Sequence, residues 1–449
     1  MSSRRLLHEF PTGWRRRVYV SVVILAVFIS AYEGQLAPIL PLLLSDLHMP
    51  LQTYGLITAA SLLVGAFAGY IGGGLVDRVG RVRILVPFSF LSAGACLFMA
   101  GSDSMLHFLI ARILLAFVEG VAVAGTAPLI RDFTPRVGRA QAYALWTWGP
   151  VGASFFAAAI AALTLGAFGH SWRSQVYLMG AFACVGAVAV ALVLRDLSPE
   201  VRRTVRSTEH TVHSAQHPLH ERADAGGRRL RLLLQRPTVW AHVAAMALMY
   251  VFLATMNSYA QIMLVDHFAL SIQLASGVAM AFWLCNLGGG ILFSWLSDRV
   301  QRRKPFMLAG SAAATVLLAA FIASMTAGHQ APLALLILLL AATGLALGAV
   351  FGPWMASFSE DIEEVHPDIQ GLAFGLNHLV TRLFVLASVL LAPRVVAAAG
   401  WETWMIAATV AIAGFLAVIT LVPDHRRKDM RDSEAPATAA AQEAGTSLS

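Results

Sequence analysis

Runs of apolar residues follow one another along the whole chain, separated by short polar stretches. An α-helix of about 20 apolar residues spans the hydrocarbon core of a bilayer, which is roughly 30 Å thick. The pattern predicts twelve such helices, and we therefore expect an all-α polytopic membrane protein. The predicted spans are residues 18–41, 53–76, 84–102, 106–128, 140–164, 174–195, 239–264, 273–297, 305–327, 332–357, 370–396 and 402–422.

The composition supports this prediction. Of 449 residues, 58% are hydrophobic and only 13% are charged, with a mean hydropathy of +0.69. A soluble domain has no use for so much apolar surface, whereas a chain dissolved in lipid does. Cys96, Cys184 and Cys285 all fall within predicted spans, so we expect free thiols packed among apolar side chains and no structural disulfide.

The positions of the basic residues indicate how the chain is oriented. Of 32 Lys and Arg residues, all but four lie in segments on one side of the membrane if the N-terminus is cytoplasmic. The asymmetry follows the positive-inside rule and predicts that both termini and the long central loop are cytoplasmic. The exceptions are Arg173 and Arg394 in outer loops and Arg112 and Arg382 within spans. One inner loop, residues 359–368, is acidic instead.

Topology also explains the basic pI of about 9.7, so we expect a lipid bilayer and no nucleic acid as the partner of these charges. Lysine occurs only at Lys304 and Lys428, beside abundant arginine and alanine. This bias is typical of a GC-rich bacterial genome. We therefore predict an integral protein of the bacterial cytoplasmic (inner) membrane.

A polar stretch divides the predicted spans into six and six. Residues 196–238 are basic and poor in apolar residues, so we expect a flexible cytoplasmic linker. The predicted organisation is a cytoplasmic tail at 1–17, six-helix bundles at 18–195 and 239–422 on either side of this linker, and a disordered cytoplasmic tail at 423–449. Four linker histidines are close enough in sequence to suggest a metal site. We favour a solvated loop with no metal or cofactor, because nothing nearby fixes a ligand geometry. They are His210, His213, His217 and His220.

The two predicted bundles carry related sequences. "GGLVDRVGRVR" (residues 73–83) after the second span is answered by "SWLSDRVQRRK" (residues 294–304) after the eighth. Such duplication is typical of transporters whose substrate site lies between two halves near mid-membrane. The residues singled out are Gly73, Asp77, Arg78, Gly80, Arg81 and Arg83 in the first copy and Asp298, Arg299 and Arg302 in the second.

The first copy resembles the G-x-x-x-D-[RK]-x-G-x-[RK]-[RK] signature of the major facilitator superfamily, and the resemblance extends over essentially the whole chain. It implies a secondary transporter that is not an enzyme, that functions as a monomer and that works by alternating access. It also implies that this cluster latches the two halves together in the outward-open state. We further expect Gly73 and Gly74 to let the end of span two approach a neighbouring helix closely. Asp77 is expected to pair with arginines or to cap a helix N-terminus.

Five ionisable residues lie within predicted spans, where charge is costly and indicates function. Arg112 and Glu119 share one face of span four, about 10.5 Å apart along its axis. His378 and Arg382 share one face of span eleven. We expect these groups to converge on one site from both halves. The candidates for substrate binding are Arg112, Arg382, Asn257, Gln261 and His378, and those for proton coupling are Glu33 and Glu119. Helix packing is the alternative role, as credible as binding for His378 and for the Asn257 and Gln261 stripe.

"ARILLAFVEG" (residues 111–120) resembles the span-four pattern R-F-L-L-G-x-x-E-[AG] of the anion:cation symporter group within that superfamily. This implies an organic anion moved with protons or sodium, and a guanidinium is a natural partner for a carboxylate. Span one departs from the group, because Glu33 is followed by Gly34 and not by arginine. Our hypothesis is a carboxylate-type metabolite attracted by Arg112 and Arg382. Glu33 or Glu119 would carry the proton, because burial favours the neutral form of a carboxyl.

Two alternatives remain open. One is a drug:proton antiporter that exports amphipathic cations, although "GPVGASFFAAAIAALTLG" (residues 149–166) lacks the full glycine spacing of that group's span-five signature. The other is a non-transporting membrane sensor, which would not need both copies of the latch motif. A membrane enzyme is less favoured than either, because the sequence has no metal motif, nucleophile elbow or paired catalytic carboxylates at a membrane face.

Overall fold

The computed structural model describes residues 6–133, 146, 149–198, 200–201, 233–300, 302–326, 331–365 and 370–423. Within the predicted linker at residues 196–238, residue 199 and residues 202–232 with the four histidines lie outside the described residues, as do residues 424–449 of the predicted C-terminal tail. The described chain is almost entirely α-helical, as an apolar backbone in lipid requires, because every N–H and C=O must be satisfied within the protein.

The first half begins with a short strand and ends with its partner. The strand β1 (Leu6–Leu7) pairs in parallel with β2 (Asp196–Leu197), which follows the last helix of this half. The helices between them are α1 (Gly13–Glu33), α2 (Leu40–Asp46), α3 (Leu51–Val79), α4 (Arg81–Ala100), α5 (Met105–Ala124), α6 (Thr126–Phe133), α7 (Gly149–Thr164) and α8 (Trp172–Val193). A short 3-10 helix, Ala37–Ile39, precedes α2.

The second half consists of longer helices. They are α9 (Pro237–Phe268), α10 (Ile272–Val300), α11 (Lys304–Met325), α12 (Leu333–Val365) and α13 (Gln370–Ile419). The continuous stretch α13 contains two predicted spans, separated at Gly400, whose φ of +81° interrupts the helical backbone. Glycine tolerates this conformation because it has no Cβ.

Ten helical segments among the described residues are long and apolar enough to cross a membrane. They account for eleven of the twelve predicted spans. The segment Ala373–Ile419 contains two spans, and the predicted fifth span appears as the shorter apolar helix α7. All but Trp146 of the predicted residues 140–148 before α7 lie outside the described part of the chain.

The first span is broken, whereas the sequence predicted one continuous helix over residues 18–41. Helix α1 ends at Glu33, and the backbone turns through Gly34 before the 3-10 helix and α2 continue the crossing. Pro38 explains the break, because it has no N–H to donate to the carbonyl of residue 34 and its ring crowds that carbonyl.

The acidic segment after the tenth span also differs from the prediction. Helix α12 continues to Val365, so residues 359–365 are helical and do not form a loop. One of them, Asp361, is 4% exposed and lies 2.7 Å from Nε2 of the fully buried His242. The acid that broke the basic pattern of the inner loops is therefore the partner of a buried histidine.

The two halves repeat the same packing scheme. Helix α3 packs along α5 as α10 packs along α12, and α4 packs against α5 as α11 packs against α12. Helix α1 packs against α7 and α8, and α9 packs against α13, which carries the two corresponding spans. Between the halves, α7 contacts α10, α3 contacts α13, and the broken end of the first span contacts α9.

The end of the bundle at which α4 and α11 begin carries both copies of the duplicated motif. We call it the basic face, defined by residues 78–83 and 299–304, and we call the other end the opposite face. Glu33 and Ser92 lie near mid-depth between the two faces, since each sits well inside a predicted span.

Candidate functional site

A pair of glutamates lies inside the first half. Glu33 is only 1% exposed at the end of α1, and its carboxylate accepts a hydrogen bond from the Ser92 hydroxyl on α4. Glu119 on α5 is close enough to interact electrostatically with Glu33. One oxygen of each carboxyl group has no hydrogen-bond partner among the described residues. Two acidic groups thus interact where an ionised carboxylate is expensive.

Arg112 binds the break in the first span. Its guanidinium donates a hydrogen bond of 3.2 Å to the carbonyl oxygen of Gly34, the carbonyl that Pro38 deprives of its helical donor. The same guanidinium interacts electrostatically with Glu119 and Tyr54. Arg112 therefore completes the backbone of the first span and supplies positive charge beside the glutamate pair.

The second half contains a related arrangement at Pro393 in α13. This proline cannot donate to the carbonyl of Val389, four residues earlier. The Tyr259 hydroxyl of α9 donates a hydrogen bond of 2.8 Å to that carbonyl instead. Gly55 of α3, in the other half, packs on the same spot, since a Cβ added there would lie 3.0 Å from the Val389 oxygen and 3.1 Å from Pro393 Cγ. Near the opposite face, the two halves therefore meet in direct contact.

His378 and Arg382 in α13 are both exposed in the absence of lipid. Arg382 interacts electrostatically with Tyr250 of α9 and with His378. Because an arginine facing lipid is costly, the electrostatic interaction with Tyr250 favours a position on the space between the helices. The second half therefore offers cationic and hydrogen-bonding groups and, at this place, no acidic partner among its described contacts.

The polar stripe on α9 divides into two roles. Asn257 is exposed, and its side-chain oxygen accepts a hydrogen bond of 2.9 Å from Ser154 on α7, so it joins the two halves. Gln261 is 2% exposed, and its side-chain oxygen lacks a partner among the described residues. The predicted convergence of all these groups on one site remains a prediction. Their described contacts form one group around Glu33 and another around Arg382.

The motif after α3 is tied to its own half. Arg81 is 5% exposed and forms an ion pair with Asp132 of α6. The backbone N–H groups of Arg81, Val82 and Arg83 donate to the Asp196 carboxylate at 3.1, 3.2 and 3.3 Å, so Asp196 caps the N-terminus of α4. Gly80 adopts a φ of +120° beside that carboxylate, which a side chain would strain.

The second copy is also anchored within its own half. Arg303, which the sequence comparison did not single out, pairs with Asp298 and lies 3.3 Å from Glu360 of α12. Arg299 stacks on Trp295 at 5.3 Å. Arg302 likewise has an interaction partner. The described pairs of Arg81 and Arg303 lie within single halves. Latching between the halves stays a prediction, and the Asp77 side chain lies outside the described side chains.

One expectation about this motif is wrong. Gly73 was expected to permit close helix packing, but a Cβ added there would meet nothing within 4 Å. Gly72 has that role, since its Cβ would lie 2.8 Å from Cα of Val121 on α5. The helical register places the neighbouring glycine, one position earlier, against α5. Arg78 and Arg83 are exposed on the basic face.

Several residues of the site carried a signal that our reading of the sequence missed. Proline at positions 38 and 393 identifies the carbonyls at 34 and 389 that need a donor from another helix. Ser92, Tyr259 and Asp196, in contrast, are polar residues whose partners lie far away in sequence, so no local spacing identifies them. The three cysteines are free, as predicted.

Comparison with known proteins gives three findings. The family model "Major Facilitator Superfamily" matches residues 22–367. The chain is 25% identical over 355 residues to the putative metabolite transport protein YncC of Bacillus subtilis, covering 72% of this chain and 73% of the relative. It is 23% identical over 294 residues to the membrane sensor protein UhpC of Escherichia coli, covering 64% and 65%.

Among solved structures, the fold is similar to that of a bacterial homolog of the human lysosomal transporter Spinster in its inward-facing and unoccupied conformation. The TM-score is 0.69 at 15% identity, covering 92% of this chain and 97% of the other. At that identity the likeness concerns the fold alone.

Proposed function

Because the chain belongs to the Major Facilitator Superfamily, we propose that it carries a small carboxylate-type metabolite across the membrane, coupled to protons, by alternating access. The membership makes it a membrane transport protein and not an enzyme. The substrate class and the proton are our proposal, and one observation carries them: two glutamates, Glu33 and Glu119, interact electrostatically inside a helix bundle, where Glu119 also interacts with Arg112.

The glutamate pair is suited to carrying a proton. Two like charges this close in a medium of low dielectric constant oppose each other's ionisation, so one proton shared by the pair is favourable. Arg112 stabilises the charge that remains. A conformational change that moves α1 relative to α5 would alter the distance between the two carboxyl groups and thereby release the proton.

The second half supplies the attraction for the substrate. Arg382 and His378 lie one helical turn apart on α13, and Tyr250 of α9 lies nearby. A guanidinium binds a carboxylate through two parallel hydrogen bonds, and an imidazole and a phenol add further donors. We propose that the carboxylate binds here, between the halves, with Asn257 at the contact with the first half.

We also propose an orientation, a monomeric state and a role for the duplicated motif. The basic face is cytoplasmic, in a bacterial inner membrane, as the positive-inside rule predicts. The protein works as a monomer of two bundles, residues 18–195 and 239–422, joined by the linker at residues 196–238. In the state open to the opposite face, the two copies of the motif latch the halves together.

The test is proton movement in liposomes that contain the purified protein. Monocarboxylates, dicarboxylates, sugars and cationic dyes are added one at a time. We expect the outer medium to become alkaline with at least one carboxylate, and we expect this response to be lost in Arg382→Ala and partly kept in Arg382→Lys. Proton release from acid-loaded vesicles with cationic dyes would contradict the proposal and favour drug antiport.

A sensor is the second candidate, and the similarity to UhpC, which is named a membrane sensor protein, favours it. A sensor would bind its ligand without moving it. Binding of a carboxylate measured by calorimetry, with no uptake of the same radiolabelled compound into liposomes, would support the sensor over the transporter.

A further inference from the structure

A small cavity lies inside the first half, between Glu33 and the basic face. Every residue that lines it belongs to the first half, on α1, α4, α8 or the junction of α5 and α6. Its lining therefore includes no residue of the second half. The polar side chains along it are Ser30, Glu33, Ser89, Ser92 and Thr126.

The cavity extends in one direction from the glutamate. Glu33 and Ser92 mark its inner end, and one oxygen of the buried Glu33 carboxyl, which lines the space, has no hydrogen-bond partner. Along α4 it continues from Ser92 to Leu85, seven residues or about 10.5 Å towards the basic face. It ends beside Thr126 and Val190, which lie where α6 begins and shortly before α8 ends.

Hydroxyl groups line this path at intervals. Ser89 lies one turn below Ser92 on α4, and both occupy the side that faces α1. Each hydroxyl donates its proton in one described hydrogen bond, Ser89 to the Leu85 carbonyl and Ser92 to the Glu33 carboxylate, so its oxygen can still accept a hydrogen bond from water. At the far end, Thr126 accepts a hydrogen bond of 3.1 Å from the Trp146 indole. A water molecule held beside such groups makes hydrogen bonds to them and can pass protons between them.

We propose that protons travel between Glu33 and the basic face through water in this cavity, and not along the route of the substrate between the halves. The proposal rests on the proposed proton coupling and adds the path. It separates the two cargoes in space: the proton moves inside the first half, and the carboxylate moves between the halves. Tightly coupled transport benefits from this arrangement because the proton can leave without displacing the substrate.

The first experiment follows deuterium exchange at the Glu33 carboxyl by infrared spectroscopy of the full-length protein. The carboxyl band is identified by its loss in Glu33→Gln. We expect exchange to slow about tenfold in Ser89→Leu, which fills the cavity, and less in Ser30→Val. The matched control is Gly94→Leu, which adds the same side chain on α4 where nothing lies within 4 Å. Unchanged exchange in both cavity variants would overturn the proposal.

A second measurement shows whether the Ser89→Leu variant is folded. It also distinguishes a failure of the proton path from a failure of the proposed function. In liposomes, Ser89→Leu should lose proton-driven uptake of the carboxylate but keep its exchange across the membrane, which needs no net proton movement. Loss of both activities in a folded Ser89→Leu would overturn the separate path. If no carboxylate moves protons in the wild type, the proposed function fails, yet slowed deuterium exchange would still support the cavity. A dependence of the exchange rate on Na⁺ would make this a sodium site and overturn the proton assignment.

Discussion

The two halves solve the same backbone problem with different side chains. In the first half, Pro38 frees the carbonyl of Gly34, and a charged group, Arg112, takes it. In the second half, Pro393 frees the carbonyl of Val389, and a neutral hydroxyl, that of Tyr259, takes it. In the first half, the donor to the free carbonyl therefore also brings a positive charge next to two glutamates. In the second half, the donor lies at the contact that closes the molecule near the opposite face.

The largest expected effect comes from removing the charged donor. Arg112→Ala removes the charged donor from the Gly34 carbonyl, which keeps only the 3.1 Å hydrogen bond from the Leu36 N–H, and it removes the counter-charge beside the glutamates, so we expect transport to vanish. The thermal stability should fall as expected for a lost charged hydrogen bond, about 2 kcal/mol. The double variant Arg112→Ala with Pro38→Ala restores an N–H for that carbonyl. It should recover the melting temperature but not proton-driven uptake. Recovery of both would mean that Arg112 serves the backbone alone.

The corresponding change in the second half should have a smaller effect. Tyr259→Phe removes a neutral hydrogen bond worth about 1 kcal/mol and weakens the closed contact near the opposite face. We expect a shift towards the state that is open on that face. The shift is measured as faster thiol labelling in a Thr58→Cys background on α3. Adding Pro393→Ala should reverse the shift, because it returns a helical donor to Val389. Labelling that stays fast in the double variant would show that the hydroxyl acts elsewhere.

A larger side chain at Gly55 of the first half tests the same contact with Val389 and Pro393 of the second half. Gly55→Ala places a Cβ against the Val389 carbonyl and Pro393, and overpacking of this kind costs about 1 kcal/mol or more. The effect should again be faster labelling from the opposite face, with little change in melting temperature. The matched control is Gly73→Ala on the same helix, where a Cβ meets nothing. Equal labelling of both variants would contradict the assignment of the contact.

The smallest effect is expected at the basic face. Asp196→Asn keeps the shape of the cap on α4 but removes its charge, which costs roughly 1 kcal/mol at a helix N-terminus. We expect a slightly lower melting temperature and normal proton coupling. A large loss of coupling in this variant would mean that the cap takes part in the conformational change.

The sequence was sufficient for the fold because lipid imposes a simple rule. Apolar runs long enough to span the membrane appear as helices, and the duplicated motif after the second and eighth spans matches the repeated packing of the two halves. The motif also identified the family. Charged residues within apolar runs, such as Glu33 and Arg112, stand out in the sequence for the same reason, and their functional roles stay predictions.

What the sequence did not reveal depends on partners distant in the chain. The acidic residues 359–365 read as a loop because their hydropathy is low, yet Asp361 is buried against His242. Arg112 read as a carboxylate partner, and its bond to the Gly34 carbonyl emerges only when the effect of Pro38 on a neighbouring helix is known. Gly72 and Gly73 are indistinguishable until the helical register is fixed.

We propose that Glu33 and Glu119 couple the proton in the first half while the substrate binds elsewhere. The variant Glu119→Gln tests this in liposomes, where the radiolabelled substrate is measured both in gradient-driven uptake and in exchange at equal pH. We expect accumulation against a concentration gradient to be lost and exchange to continue. Full gradient-driven accumulation by Glu119→Gln would contradict it.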